Sequence, residues 1–419
     1  LQYKAPSGTR DIFASDITLW HMVEKTACKQ AERAGYIEIR TPAFEQTDLF
    51  MRGIGEESEV VQKQMYTFTT PGGESLTLRP EITAPVMRAY IEHSMHKTGA
   101  FRKFYYLGPS FRYERAQKGR WRQFSQFGVE AIGSESPLAD VETIVLAWDI
   151  LKQSGVPGLK LLINSIGCPE CRPLFRKALG DYITEKKDKL CKDCVRRIDT
   201  NILRILDCKN ESCREAVKDA PDVSQFLCQT CETHFEVVKR GVKQFIPDWK
   251  LDPHLVRGLD YYTHTVYEFV AGELGSQNAV GGGGRYNLLV EELGGPPTPS
   301  VGFALGLDRI VLSLQSSVEN RLANASPTVY LVSISDELRE PAFEIVLRLR
   351  RSSIPADMDF ENRSLKAQFR AANKSGAQFV AVLGPEEHSK GLVNLKCLAD
   401  GTQEPVSVES LVEKILGKK

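Results

Sequence analysis

The sequence contains no apolar run of about 18 residues, so nothing in it reads as a membrane span. Its opening residues, Leu1-Gln2-Tyr3-Lys4, lack the apolar centre of a secretion signal, and the chain therefore reads as cytoplasmic. Net charge is missing too: 54 Lys and Arg balance 54 Asp and Glu over 419 residues. That excludes a globally basic nucleic-acid binder, so any contact with an anionic polymer must use a local patch. No G-x-x-x-x-G-K-[ST] occurs, which excludes a P-loop. "GGGGRYN" does not fit G-x-G-x-x-G, and D-F-G is absent, so neither a dinucleotide-binding array nor a kinase is indicated. The seven His are scattered and form no metal triad of recognisable spacing, and no internal repeat stands out.

What is present is an ordinary globular composition, with length enough for two or three domains. Apolar periodicity at Leu19, Met22, Val23 and Ala27 predicts a helix over 16–34, ended by Gly35. "YIEIRTP" alternates as a half-buried strand with Ile37 and Ile39 inward, and Pro42 stops it. "MYTFTTPGGESLTLRP" reads as a hairpin and residues 81–92 as a helix. Two strands, "FRKFYYLGPSFRY" and "RQFSQFGVEAIG", join through a polar loop, and a helix is expected over 138–154. "LVRGLDYYTHTVYEFV" resumes strands, "AVGGGGRYNLLVEELGG" reads as a Gly-rich turn entering a helix, and "SVGFALGLDRIVLSL" as a strand and then a helix. The Gly281–Gly284 run also has a second reading, as backbone stripped of side chains so that it can pass close to a ligand. After a linker at "SSVENRLANASP", strands at 329–334, 355–359 and 378–383 alternate with helices at 337–351, 364–375 and 407–416. The expectation is an α+β chain: a mostly antiparallel domain over 1–325 and a small α/β domain over 326–419.

Eight of the ten Cys fall between Cys168 and Cys231, in a helix-leaning block of about 168–248 that interrupts the strands and reads as an insertion. Without a secretion signal they are thiols or metal ligands rather than disulfides. Three C-x2-C pairs are a zinc signal. Against it, "LCKDCVRRIDTNILRIL" reads as helix without the Gly or Pro of a zinc knuckle, which favours reduced cysteines packing a helical module. Both readings stand at this level, and His234, three residues after Cys231, is expected on a helix surface.

One stretch, "FRYERAQKGRWRQFSQFGVE" (111–130), places five Arg or Lys among five aromatics. A solvated basic hairpin would explain it. So would a site for something flat and anionic. Its alternation can set Arg112, Gln126 and Glu130 on one face of a sheet. With the usual phosphate loops excluded, phosphates would fall to arginines, whose planar fork matches paired oxygens; Arg112, Arg120, Arg257 and Arg309 are the candidates.

"TLRPEITAPVMR", the 111–133 stretch, "LVRGLDYYTHTVYEF" and "VGFALGLDRI" together resemble the bacterial histidyl-tRNA synthetases, class II aminoacyl-tRNA synthetases. "RSLKAQFRAANKSGAQFVAVLG" looks like the anticodon-binding domain of that family. The resemblance spans nearly the whole chain and implies an antiparallel class II catalytic core with the insertion, followed by that domain. It implies ATP- and Mg2+-dependent formation of histidyl-adenylate, transfer to the 3′ end of tRNA(His), and a homodimer with the segment around Pro42 near its interface. By family match, Arg112 and Arg257 flank the α-phosphate and the histidine carboxylate and are the catalytic pair. Arg309 holds the γ-phosphate, Arg120 the β/γ end, and Phe124 stacks on adenine. Glu130 and Tyr262 read the imidazole. Glu81, Thr83 and Gln126 receive the α-amino group, with Tyr261 beside them or merely packing. Ser125, His264 and Asn287 depart from the family pattern. The alternative is a catalytically silent paralogue, the histidine-sensing regulatory subunit of an ATP phosphoribosyltransferase. The intact "RGLDYY" and the final domain speak against it.

Overall fold

Alternation and helical period give way to one another along the chain, and the elements follow. A computed structural model describes all residues except 1–2, 14, 57, 100, 116, 118, 273–277, 319–326 and 418–419. The expected linker at 316–327 and the expected boundary at 325/326 lie largely outside the described residues. The chain divides into two compact units, Leu1–Asn320 and Arg321–Lys419.

In the first unit, helix α1 (Ser15–Arg33) leads to strands β1 (Ile37–Glu38) and β2 (Phe44–Gln46) and helix α2 (Thr47–Ile54). Strands β3 (Tyr66–Thr69) and β4 (Ser75–Leu78) form the expected hairpin, and α3 (Thr83–Glu92) follows. Strands β5 (Arg102–Phe111) and β6 (Gln123–Ile132) make the long basic hairpin, paired from Arg102↔Ile132 to Phe111↔Gln123. Helix α4 (Pro137–Gln153) is capped by the Ser136 side chain, with Pro at its start. Then come β7 (Lys160–Ser165) and the inserted helices α5 (Cys171–Thr184), α6 (Lys192–Thr200), α7 (Glu211–Val217) and α8 (Gln229–Phe245). The chain returns through β8 (Trp249–Leu251), β9 (Thr263–Val270), β10 (Ala279–Arg285), α9 (Leu289–Glu292), β11 (Ser300–Gly306) and α10 (Leu307–Val318). Eight strands join in the order β1-β5-β6-β11-β10-β9-β7-β8. The five inner pairings are antiparallel, and only the edge pairs β1/β5 and β7/β8 are parallel.

Three expectations change. Ile37 is 60% exposed rather than inward; β1 is a two-residue edge strand, and Ile39 carries the apolar contact. The glycine run is not a turn but the strand β10, between β9 and β11. Its reason is steric. A Cβ on Gly281, Gly282, Gly283 or Gly284 would lie closer than 3.0 Å to neighbouring backbone atoms, and on Gly282 or Gly284 also to the side chains of Arg257 or Tyr262. Third, the second unit holds more strands than expected. Strands β12 (Val329–Ser333), β13 (Ala356–Met358) and β14 (Phe379–Leu383) alternate with α11 (Arg339–Arg351) and α12 (Leu365–Ser375) in parallel pairing. After α13 (Pro385–Ser389) an antiparallel hairpin, β15 (Leu392–Cys397) and β16 (Gln403–Ser407), extends the sheet before α14 (Leu411–Gly417). Val393 and Leu395 alternate with polar neighbours and join the core with Val406, so the hairpin was readable as period two.

Gly283→Ala should destabilise the protein by about 3 kcal/mol or more, because the new methyl meets sheet backbone that cannot withdraw. Gly72→Ala, where the new methyl meets only Thr70 Oγ1 at 3.8 Å, should change stability by less than about 1 kcal/mol. Urea unfolding of the two variants checks the contrast.

Candidate active site

A cleft of about 370 Å³ opens over β6, β11, β10 and β9. Its closed end begins at the start of α3. There Glu81, buried, accepts hydrogen bonds from the amides of Thr83 (2.6 Å) and Ala84 (2.9 Å). Burial pushes its carboxyl up while these amides oppose the shift, and both suit a carboxylate at a helix N-terminus. Thr83 donates through Oγ1 to Glu130 Oε1 at 2.7 Å, and Tyr286 donates to Glu130 Oε2. Glu130 is therefore buried with both oxygens engaged by neutral hydroxyls. Burial lifts its carboxyl to about 8, the hydroxyls of Tyr286 and Thr83 oppose the rise, and the charge of Glu81 adds to it. Two glycines make the room: a Cβ on Gly302 would collide with Glu130 and Tyr286, and one on Gly128 with Tyr106.

Beside this end stand three tyrosines. The ring of Tyr261 lies 4.7 Å from that of Tyr262 and 5.5 Å from that of Tyr286. Tyr261 both packs and lines the cleft, so its two readings coexist. Gln126 accepts from Ser110 Oγ at 2.8 Å through Oε1, which leaves its amide NH2 as the end for a cleft ligand.

Toward the mouth the lining turns cationic. Arg112 is anchored through Nε to the Pro80 carbonyl (2.8 Å), and its guanidinium lies 5.4 Å from the Phe124 ring centre. Arg257 pairs with Glu268 at 2.5 Å. Arg309 donates to the carbonyls of Gly119 (3.0 Å) and Ala279 (2.6 Å), and Arg120 pairs with Glu114 at 3.2 Å. Burial and the neighbouring Arg120 lower the pKa of Arg309. All four arginines, Phe124, Gln126, Glu81, Thr83 and both adjacent tyrosines line this one cleft, with Glu130 beneath it. An end walled by tyrosine rings with fixed acceptors and donors, opening to four guanidinium groups, can hold a small polar molecule against a polyphosphate.

The sequence profile described as Histidyl-tRNA synthetase matches residues 8–310. A Histidine--tRNA ligase of Natranaerobius thermophilus is 47% identical over 98% of this chain and 98% of its own, and one of Syntrophotalea carbinolica is 45% identical over 98% and 97%. This chain belongs to the histidyl-tRNA synthetase family. The crystal structure of the apo histidyl-tRNA synthetase of S. aureus has a TM-score of 0.82 at 36% identity, covering 99% of each chain. The profile described as Anticodon binding domain matches residues 328–418.

Within this synthetase-family site, sequence reasoning missed Tyr286 and Tyr106. Tyr286 follows the glycine strand directly, so "GGGGRY" held its signal once the run is read as a strand ending at the cleft floor. The departures also find places. His264 has φ 50°, the left-handed region in which a glycine is at ease, and its ring is held neutral, lowered to about 4 by burial and by His234. Asn287 accepts from Arg285 and from the Ser300 amide, both at 3.3 Å. The Ser125 amide donates to Asp308 at 2.8 Å, so the Asp of "GLDR" ties α10 to β6. His234 is not a surface residue: it hydrogen-bonds Asp140 (3.3 Å), which forms a wholly buried pair with Arg285. Burial alone would raise Asp140, but His234 and Arg285 hold it below the usual carboxylate range. The eight cysteines converge in two groups of four that could each hold a metal ion, and Cys194 and Cys213 also pack in the insertion's apolar core. A helix needs no Gly or Pro to present a C-x2-C pair. Cys191 and Cys228 sit at the N-caps of α6 and α8, which brings Cys194 and Cys231 onto the same side.

The pH dependence of Glu130 has a definite sign. Its folded carboxyl, at about 8, lies above its ordinary 4.5, so between those values the folded state keeps a proton that the unfolded chain releases. Its contribution to stability falls as pH rises through that window and is level above about 8. Glu130→Gln removes the titration, so the wild-type-minus-variant unfolding free energy should decline from about pH 5 to about pH 8. A flat difference across that range, in urea titrations at several pH values, would refute the raised carboxyl.

Proposed function

We propose that this chain is a histidine–tRNA ligase, forming histidyl-adenylate from L-histidine and ATP and passing the histidyl group to tRNA(His). The observation that carries the reading is the gradient within one cleft, from buried Glu130 under Thr83 and Tyr286 to the four arginines at the mouth.

In the first step a histidine carboxylate oxygen attacks the α-phosphorus of ATP. A carboxyl–phosphate bond forms, the bond to the bridging oxygen breaks, and pyrophosphate leaves. Such a displacement needs positioning and charge neutralisation more than covalent help. Arg112 and Arg257 serve the α-phosphate and the carboxylate, Arg257 as a fixed cation at the crowded phosphorus. Arg309 and Arg120 take the γ and β/γ phosphates, and Phe124 the adenine face. ATP enters as its Mg2+ complex, so that ion is part of the substrate. Glu81, Thr83 and Gln126 receive the α-amino group. Glu130 and Tyr262, with Tyr261 beside them, select the imidazole, since a side chain lacking its two nitrogens would leave buried polar groups unpaired. In the second step a hydroxyl of the tRNA's 3′-terminal adenosine attacks the activated carbonyl and AMP leaves.

The domain assignment goes with this reading: a catalytic domain over 1–325 with its insertion, and an anticodon-binding domain over 326–419. A cytoplasmic homodimer is proposed as well. Ile37, Phe44 and Phe68, around Pro42, are apolar and exposed, which supports a second copy covering them. The regulatory-subunit alternative is not favoured, because the anticodon-binding match and the four cleft arginines are both retained.

Amino-acid-dependent ATP–pyrophosphate exchange, run with all twenty amino acids and Mg2+, should proceed with histidine alone. A folded protein that binds histidine but exchanges with none would return the regulatory reading. Arg257→Ala should lower exchange by about 100- to 1,000-fold or more while histidine binding stays measurable by calorimetry. Exchange surviving largely intact would remove Arg257 from its role.

A further inference from the structure

The proposed reaction does not use the insertion's eight cysteines, yet they gather into two compact groups. Cys168, Cys171, Cys228 and Cys231 form one group, and Cys191, Cys194, Cys208 and Cys213 the other, with all sulfurs of a group within 4.8 Å of one another. In the first, Sγ–Sγ distances are 3.5 Å (Cys168–Cys171), 3.7 Å (Cys171–Cys231) and 4.0 Å (Cys168–Cys228); in the second, Cys191–Cys208 is 3.9 Å. A disulfide requires about 2.05 Å. Four thiolates at about 2.3 Å from one zinc ion stand about 3.8 Å apart in a tetrahedron, which these spacings bracket. Two cysteines of each group are buried and two are partly covered, as in a closed structural site. Backbone amides already point at the sulfurs: Cys228 N–H donates to Cys171 Sγ and Cys191 N–H to Cys213 Sγ, each at 3.1 Å. Such bonds orient ligands and spread thiolate charge.

We propose that the insertion binds two zinc ions, one in each tetrathiolate group, and that they fix the wall of the cleft that carries Tyr262. The connections are short. Gly167, beside Cys168, accepts from the His264 amide at 2.9 Å, and Arg172, beside Cys171, donates to the Tyr262 carbonyl. In the other group, Cys208 lies between Asp207 and Lys209, which line the cleft with Arg204. Asn201 holds Asp260 at 2.8 Å, one residue before Tyr261. Each sulfur group is thus one or two residues from a contact to the 257–264 segment or to the cleft itself. The positional half of the proposal rests on the cleft being the histidine site, whereas the metal half does not.

Elemental analysis of the purified full-length protein should find about two zinc per chain, and Cys168→Ser and Cys191→Ser about one each. Iron in place of zinc, or no stoichiometric metal, overturns the proposal. Should either variant fail to fold, the wild type serves: a mercurial thiol reagent, followed with a metallochromic indicator, should release two zinc as the eight insertion thiols react in addition to Cys28 and Cys397, and all ten reacting without zinc release overturns it. Zinc-stripped protein should bind histidine about tenfold more weakly and become protease-sensitive within 168–248. Unchanged binding with two zinc lost would refute the positional role while leaving histidine binding itself, and so the cleft reading, intact.

Discussion

At four successive positions of one central strand in the eight-stranded sheet there is no space for a side chain, and the cleft depends on that. β10 runs between β9 and β11 with four successive glycines, and the volume a Cβ would take at Gly282 and Gly284 is occupied by Arg257 and Tyr262. The neighbouring strands repeat the device, with Gly128 beneath Tyr106 and Gly302 beneath Glu130 and Tyr286. Glycine is costly in a strand, since it surrenders the most conformational freedom on folding. Here that cost is offset by burying functional side chains where a methyl would otherwise stand.

Three buried carboxylates near this floor are stabilised in three ways, and the difference sets what each can do. Asp140 faces the Arg285 guanidinium and His234 and stays ionised, a structural tie between α4, β10 and α8. Glu81 faces two helix-start amides. Glu130 has only hydroxyls, which can satisfy either protonation state, so burial raises it toward neutrality. A carboxyl of that kind can donate to an imidazole nitrogen when protonated, or accept from an imidazole N–H when ionised. A neutral imidazole, with one donor and one acceptor nitrogen, is able to meet it in both states.

Much of this was legible before the structure. The basic hairpin, the arginines, Glu130 and the final α/β unit follow from alternation, charge placement and the resemblance. What escaped was long-range. Glycines carry no periodicity, so "GGGG" looks like a turn unless its neighbours are known to close over it. Ile37 alternates correctly but lies at an edge, where alternation does not decide which face is covered. The hairpin at 392–407 is the local exception, since Val393, Leu395 and Val406 mark its inner face. His234 reads as exposed from local pattern, and it is Asp140 and the His264 ring, both distant in sequence, that half-cover it. The spacing within a C-x2-C pair does not say which other cysteines it meets, since Cys228 and Cys231 reach Cys168 and Cys171 from 60 residues away.

The insertion's place in the chain has its own logic. β7 and β8 are parallel neighbours at the sheet edge, and parallel strands need a crossover that leaves the sheet and returns. The inserted helices supply it. Lengthening such a connection costs little extra closure entropy, so a domain can grow there without disturbing the sheet. The return path is packed tightly: Gly241 of α8 lies against Val141 of α4, where a Cβ would come within 2.6 Å. From α8 the chain enters β8 and then the segment carrying Arg257, Tyr261 and Tyr262. A module built into this crossover therefore sets where that segment begins, and Arg172 and Asn201 hold it again further along. Arg172 and Asn201 are therefore the contacts through which a shift of the insertion would reach the cleft.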